Sequence, residues 1–156
     1  MSSEVEIIPF EVKYAEDFKN LNYSWISKYF EIEREDRRTL ENPQETIIDP
    51  GGCILLARLN EKIVGTSALM RIDDQHYELV KMAVDEKHQG KQIGKRLGEK
   101  IVHKARDLGA QRITLESASI LTPAITLYKK LGFSVLQTGQ CSEEYERCDI
   151  MMELIF

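Results

Sequence analysis

The chain has 156 residues, which is the length of one ordinary domain. Hydrophobic residues make up 42% and charged residues 30%, a composition that excludes wholesale disorder and fibrous repeats. Lysine and arginine number 21 against 26 aspartates and glutamates, so the net charge is −5 and a nucleic-acid-binding surface is not expected. Any anionic ligand should be held locally, by backbone donors and a few lysines.

Cysteine usage and the N-terminus predict a reduced, cytoplasmic protein. The three cysteines are odd in number and have no C-x-x-C spacing, and with the three histidines they form no zinc-ligand pattern. The first residues contain no basic stretch followed by an apolar one. Apolar runs are far shorter than the ~20 residues that a membrane span needs. We therefore expect no metal, no membrane association and no secretion signal.

In the first half of the chain, the apolar spacing changes from helical to strand-like. Apolar residues three and four apart, such as Phe18, Leu21 and Trp25, indicate an amphipathic helix. The predicted elements are a strand at residues 4–10, this helix at 15–30, a charged helix at 33–40, and a hairpin of strands at 53–59 and 62–72. The charged run 33–38 is expected to be a solvated helix face.

The second half is predicted to alternate strands and helices. Its elements are a strand at residues 77–84, a long helix at 93–108, a strand at 112–116, a helix at 122–131, and strands at 133–137 and 146–154. Leu79 and Val80 are apolar on opposite faces, which indicates a strand covered on both sides. The order β-α-α-β-β-β-α-β-α-β-β predicts an α/β (α+β) fold with helices on both faces of a mixed sheet.

The segment at residues 84–97 has the features of a phosphate-binding turn. A covered strand enters a turn with Gly90 and Gly94, and the turn opens a helix whose first N–H groups lack partners. Positive charge is added by Lys91, Lys95 and Arg96. The spacing fits neither G-x-x-x-x-G-K-[ST] nor G-x-G-x-x-G, because Gln92 stands at the second glycine of the latter. An ordinary strand–turn–helix connection with structural glycines is the alternative.

Three motifs in this half of the chain resemble those of the GNAT superfamily of acyl-CoA-dependent N-acyltransferases. Residues 89–94 are similar to its Q/R-x-x-G-x-G/A pyrophosphate loop, with Gln92 where glycine is usual, residues 78–84 look like its fourth strand, and residues 124–133 are similar to its A-x-x-L-Y-x-x-x-G-F signature. The resemblance implies a mostly antiparallel central sheet in one domain, 1–156. It also implies an acyl-CoA-binding core at 52–156 and a variable acceptor-side part at 1–50.

The resemblance implies that acetyl-CoA is the co-substrate and assigns its contacts. The backbones of Met82, Ala83 and Val84 would pair with the pantetheine arm, and an N–H near Met82 or Ala83 would face the acyl carbonyl. The implied pyrophosphate contacts are Gln89, Gly90, Lys91, Gln92, Ile93, Gly94 and Lys95. The other implied cofactor contacts are Ser119, Ala124, Tyr128 and Lys130. Sheet packing, helix capping and solvated lysines are the alternative explanations for these residues.

Two residues are candidates for moving protons. Tyr128 stands where the family places a tyrosine acid, and a neutral phenol can donate its proton to a departing thiolate. Glu78 opens the fourth strand and could accept the amine proton through water. Together with Glu78, the aromatic residues expected to line the acceptor pocket are Trp25, Tyr29 and Phe30. Core packing is the alternative for the aromatics, and a solvated strand end is the alternative for Glu78.

These features predict an N-acetyltransferase that moves an acetyl group directly to a primary amine of a small molecule or a protein. The alternative is a non-catalytic acyl-CoA-binding sensor, and a third reading is an interaction domain that has lost the cofactor. Tyr128 and Glu78 favour the enzyme, because a sensor needs neither proton-handling group. The last strands, residues 146–156, could pair with another copy to give a homodimer.

Overall fold

The computed structural model describes residues 5–140 and 142–156, and in this part of the chain seven strands form one sheet. The strands are β1 (Glu6–Pro9), β2 (Cys53–Leu59), β3 (Lys62–Arg71), β4 (His76–Val84), β5 (Arg112–Ser117), β6 (Ser134–Thr138) and β7 (Ile150–Ile155). Their spatial order is β1-β2-β3-β4-β5-β7-β6. Every neighbouring pair is antiparallel except β4 and β5, which run parallel. The mostly antiparallel mixed sheet is therefore confirmed.

Helices cover both faces of this sheet. They are α1 (Ala15–Tyr29), α2 (Arg34–Glu41), α3 (Ile93–Asp107) and α4 (Thr122–Leu131). Phe18 and Ile26 of α1 pack with Leu56 on one face. Ile101 of α3 and Tyr128 of α4 pack in the main core on the other face. Within the described residues, none of these helices combines the length and apolar character that crossing a bilayer requires.

Most predicted boundaries agree with the structure to within one residue, and the largest difference is at the C-terminal end. The last strand begins at Ile150 rather than at Glu146, because residues 142–149 form turns that pack towards α2. Three short helical turns were not predicted, at Val12–Tyr14, Gln44–Ile48 and Glu86–His88. Glu4, at the start of the first predicted strand, and Cys141 lie outside the described residues.

The position of β7 corrects the predicted mode of self-association. β7 pairs with β5 on one side and with β6 on the other. Both of its edges are therefore occupied, and residues 146–156 cannot offer this strand to another copy. The strand at that border of the sheet is β6, whose residues are all exposed.

The parallel pair β4 and β5 separates after three residues. Only His76, Tyr77 and Glu78 of β4 pair with β5, opposite Arg112–Thr114. Beyond that point β5 continues beside β7, whereas β4 continues beside β3 alone. The free edge of β4 and the end of β5 are therefore left as the two walls of a cleft.

A β-bulge interrupts β4 along this free edge. Thr66 of β3 pairs with Ala83 and Ala68 pairs with Val80, so two residues of β4 stand opposite Ser67. The first of the two, Lys81, has a φ of 52°, in the left-handed region that side chains rarely adopt. A bulge of this kind bends a strand and redirects its backbone groups.

Candidate active site

The space between β4 and β5 is a cleft of about 600 Å³ that runs from the β4–α3 turn to the end of α1. Its lining includes most of the residues that the sequence singled out: Trp25, Tyr29, Phe30, Glu78, Met82, Ala83, Val84, Gln89, Gly90, Gln92, Ile93, Gly94, Ala124 and Tyr128. The structure thus brings into one cavity residues that are up to about a hundred positions apart in the chain.

Four of the predicted cofactor contacts are not part of this lining. Three of them are exposed lysines outside the cavity lining: Lys91, Lys95 and Lys130. Ser119 is already bonded elsewhere, because its N–H and its hydroxyl both donate to the Asp149 carboxylate, at 2.6 and 2.7 Å. The Ser119 hydroxyl can still accept a hydrogen bond from a ligand amide, so Ser119 stays a predicted pantetheine contact and the three lysines stay predicted cofactor contacts.

The β4–α3 turn ends in an uncapped helix. Gln92 has φ 65° and ψ 14°, and α3 starts at Ile93 without a side-chain cap. The N–H groups of the first helical residues have no partner within the helix, so the positive end of the helix dipole opens into the cleft. The strained conformation of glutamine costs about 1 kcal/mol relative to glycine. The backbone geometry that the usual glycine would supply is nevertheless present.

The glycines of the turn differ in backbone conformation and in surroundings. Gly90 has a φ of 84°, and a Cβ added there would meet nothing within 4 Å, so its need for glycine is conformational. Gly94 faces α4, where an added Cβ would lie 3.4 Å from Leu127 and 3.7 Å from Val84. Both distances are ordinary van der Waals contacts, so packing alone does not require glycine at position 94.

Tyr128 of α4 lines the cleft, and its ring packs in the core. Its side chain is 9% exposed and meets Phe133 edge to face at 6.1 Å. Burial raises the pKa of Tyr128 to about 12, so the phenol keeps its proton at neutral pH. Tyr128 therefore packs in the core and also lines the cavity, so its packing does not exclude a role in catalysis.

Glu78 lies where β4 and β5 part. Burial, followed by the nearby charges of Glu116 and Glu144, raises the pKa of Glu78 to about 7. Burial also raises the pKa of Glu116, which lines the same cavity from β5. A carboxyl group that titrates near neutrality can both take and release a proton at working pH, which is the property a general base needs.

The end of the cleft nearest α1 is aromatic. Trp25 and Phe30 meet edge to face at 6.5 Å, and Tyr29 is half exposed beside them. The indole Nε1 of Trp25 donates to the side chain of Asn22 at 3.1 Å. All three predicted aromatic residues line the cavity, although Trp25 and Phe30 also pack on the α1-side core.

An ion network next to these aromatic residues was not predicted. Asp36 of α2 accepts from Lys81 at 2.7 Å and from both terminal nitrogens of Arg147, at 2.8 and 2.7 Å. Arg147 also donates to Glu33 at 3.0 Å. Asp36 is fully buried, so the prediction of a solvated face over residues 33–38 is wrong for this residue.

The charge of this network is balanced internally. Burial alone would raise the pKa of Asp36, but the hydrogen bonds from Arg147 and the charge of Lys81 lower it to about 2. No local pattern in the sequence announces the pairing, because Asp36 and its partners are separated by 45 and 111 positions. The one feature of the sequence that points to a buried ion pair is Lys81, a lysine in a strand that is predicted to be covered on both sides.

The parallel strands β4 and β5 separate beside the uncapped start of α3, and the cleft lies between them. The acetyltransferase (GNAT) family matches residues 19–133. The chain therefore belongs to this family, and the resemblance drawn from its motifs is confirmed.

Curated relatives carry N-acetyltransferase names. Human N-acetyltransferase 8B is 35% identical over 95 residues, which are 58% of this chain and 41% of that protein. Mouse N-acetylaspartate synthetase is 33% identical over 85 residues, 54% of this chain and 28% of that protein. The chain thus spans less than half the length of these two relatives.

Solved structures share the fold over nearly the whole chain. A GNAT acetyltransferase from Staphylococcus aureus is 25% identical, with a TM-score of 0.87 over 97% of this chain and 99% of that one. A GNAT acetyltransferase from Elizabethkingia anophelis with acetyl-CoA bound is 19% identical, with a TM-score of 0.73 over 99% and 100% of the two chains. The predicted fold class is confirmed by these likenesses.

Proposed function

We propose that this chain is an acetyl-CoA-dependent N-acetyltransferase that transfers the acetyl group directly to a primary amine. The observation that carries the proposal is that Glu78, Tyr128 and the free edge of β4 face one cleft, which ends at the uncapped start of α3. Membership of the acetyltransferase family and the N-acetyltransferase names of the relatives support it.

The residues of the cleft fit acetyl-CoA, which supplies a thioester-activated acetyl group. The N–H groups at the start of α3 and the left-handed turn at Gln92 suit a pyrophosphate. Met82, Ala83 and Val84 offer a strand edge without a partner in β5, to which an amide-containing arm can add as a further strand. The exposed lysines 91, 95 and 130 can add charge at the phosphate end.

Three groups of this chain each perform one part of the acetyl transfer. A backbone N–H near Met82 or Ala83 donates to the carbonyl oxygen as negative charge develops there. Glu78 accepts the proton of the attacking amine, directly or through water. Tyr128 donates its phenolic proton to the sulfur that departs. No nucleophilic side chain is required, because the amine attacks the thioester directly.

The charges at the acceptor end favour a cationic amine. Glu78 and Glu116 line the cavity, and no salt bridge of the described residues engages either carboxylate. The two cations in the same lining, Lys81 and Arg147, are bound to Asp36 and Glu33. We therefore propose that the acceptor end attracts ammonium groups better than carboxylates.

Amine-dependent release of free thiol from acetyl-CoA tests this proposal. A matched trio of five-carbon acceptors differs only in the remote group: 1,5-diaminopentane, 1-aminopentane and 5-aminopentanoate. We expect release with the amines, and about tenfold higher kcat/KM for the diamine than for the aminocarboxylate. Binding of CoA without release on any amine, including amino-acid and peptide amines, would instead support the acyl-CoA sensor.

Three further predictions from the sequence belong to this proposal. The division into an acceptor-side part at 1–50 and an acyl-CoA core at 52–156 stays a prediction, which the position of the aromatic residues at one end of the cleft and of the turn at the other supports. The cytoplasmic location stays a prediction. A homodimer also stays a prediction, and with β7 enclosed it would have to use another surface, such as the exposed edge of β6.

A further inference from the structure

Lys81 is a non-glycine residue in the left-handed region within a buried strand. Its φ is 52°, its side chain is largely buried, and it is the first of the two β4 residues opposite Ser67. An L-residue leaves this conformation unless its surroundings hold it there. The contacts of Lys81 therefore indicate what holds the bulge.

Both the side chain and the backbone of Lys81 are tied to the α1–α2 side of the sheet. Its ammonium donates to Asp36 at 2.7 Å and to the Tyr145 hydroxyl at 3.2 Å. Its carbonyl accepts from the Thr66 hydroxyl at 2.9 Å, and that hydroxyl accepts from Asn22 at 3.2 Å. The bulge is thus held from α1, from α2 and from the turn before β7.

The bulge overlaps the backbone that the proposed reaction uses, because Met82 is its second residue. Met82 and Ala83 follow Lys81, on the part of β4 that has no partner in β5. A bulged strand points the next backbone groups in a direction that regular pairing does not give. Relaxation of Lys81 to an extended conformation would therefore turn the N–H groups of these residues.

We propose that Lys81 and Asp36 are positioning residues: their ion pair holds the β4 bulge and so aims the backbone N–H near Met82 or Ala83 at the acyl carbonyl. The inference rests on the proposed function, and it explains why a lysine is buried beside the cleft. The Lys81 ammonium already has Asp36 and Tyr145 as partners, so it does not serve as a substrate ligand.

Two substitutions at the same position separate the backbone from the side chain. Lys81→Ala removes the tether and leaves an L-residue that resists a φ of 52°. Lys81→Gly removes the same tether but adopts that φ freely. We expect Lys81→Ala to lower kcat about tenfold or more with KM for both substrates changed less than about threefold, and Lys81→Gly to recover most of the loss.

The outcomes decide the inference independently of the proposed function. Wild-type turnover and CoA affinity are measured in the same preparation, and their failure would concern the proposed function alone. If Lys81→Gly is as slow as Lys81→Ala, or if only the KM for the amine rises, the side chain acts on the acceptor and the inference is wrong. Full activity of Lys81→Ala would also overturn it.

A second variant on the other side of the pair provides an independent check. Asp36→Asn should lower kcat in the same way without changing the KM for acetyl-CoA, and thermal unfolding shows whether it is folded at the assay temperature. A folded Asp36→Asn variant with unchanged kcat would contradict the inference. If Asp36→Asn does not fold, the comparison of Lys81→Ala with Lys81→Gly decides, because Asp36 keeps its hydrogen bonds to Arg147 in both of those variants.

Discussion

Replacement of Tyr128 by phenylalanine is expected to lower kcat by about one to two orders of magnitude and to leave CoA affinity nearly unchanged. The ring stays packed against Phe133, so the fold is kept, while the hydroxyl that protonates the departing sulfur is lost. Because burial raises the pKa of Tyr128 to about 12, the wild-type phenol is protonated throughout the working range. Steady-state kinetics and calorimetry with CoA measure the two quantities.

Tyr23→Phe is the matched control for this substitution. Tyr23 lies on α1, packs on the α1-side core and is not part of the cleft lining. Tyr23→Phe removes a phenolic hydroxyl outside the cleft and should leave kcat unchanged. If Tyr128→Phe is as fast as the wild type, the departing thiolate takes its proton from another source and Tyr128 has only a packing role.

Replacement of Glu78 by glutamine is expected to lower kcat/KM at pH 7 by about a hundredfold. The wild-type rate should rise with pH through about 7, where burial and the charge of Glu116 place the pKa of Glu78. The variant should lack this rise and recover partly at high pH, where the amine loses its proton to solvent. A pH–rate profile at saturating acetyl-CoA measures both effects.

Glu78→Gln should increase the free energy of unfolding at neutral and alkaline pH, although it lowers activity. The pKa of Glu78 is about 7 in the fold, against an ordinary value of 4.5, so the unfolded chain releases this proton first. The ionised carboxyl therefore costs stability progressively as pH rises from about 4.5 to 7. Glu78→Gln should be more stable than the wild type at pH 8 and similar at pH 4, as thermal unfolding at the two pH values measures.

The control for Glu78 is Glu99→Gln, on the exposed side of α3. This substitution removes one carboxylate with the same change in net charge, and should leave both the pH–rate profile and the pH dependence of stability as they are. A wild-type profile with no inflection near 7, or one that Glu78→Gln leaves intact, would assign the amine proton to another group.

Local periodicity was sufficient to predict the elements of the sheet and the helices. The three- and four-residue spacing in α1 and the glycines that end α3 and α4 are short-range signals, and the structure follows them. The turn at Gln92 was also readable, since its neighbours matched a loop pattern. Gln92, which replaces the usual glycine of that pattern, has a left-handed φ of 65° that glycine would adopt more easily.

The aromatic residues of the acceptor end were predicted, but the ion network beside them was not, because it depends on residues that are far apart in the chain. Asp36 is in a run of charges that a helix surface would normally expose, and only its contacts with Lys81 and Arg147 make it a buried residue. Residues 146–149 were predicted as part of the last strand, yet they bend back to α2. The hydrogen bonds from Ser119 to Asp149, 30 positions away, were likewise not predictable from a local pattern.

Calorimetric titration of the protein with coenzyme A tests the central claim, that the opening between β4 and β5 is built to receive an acyl-CoA. The account predicts saturable binding of one coenzyme A per chain, with a Kd on the order of micromolar, and weaker binding of a form without the pantetheine arm. No detectable binding at coenzyme concentrations of about 1 mM would contradict it.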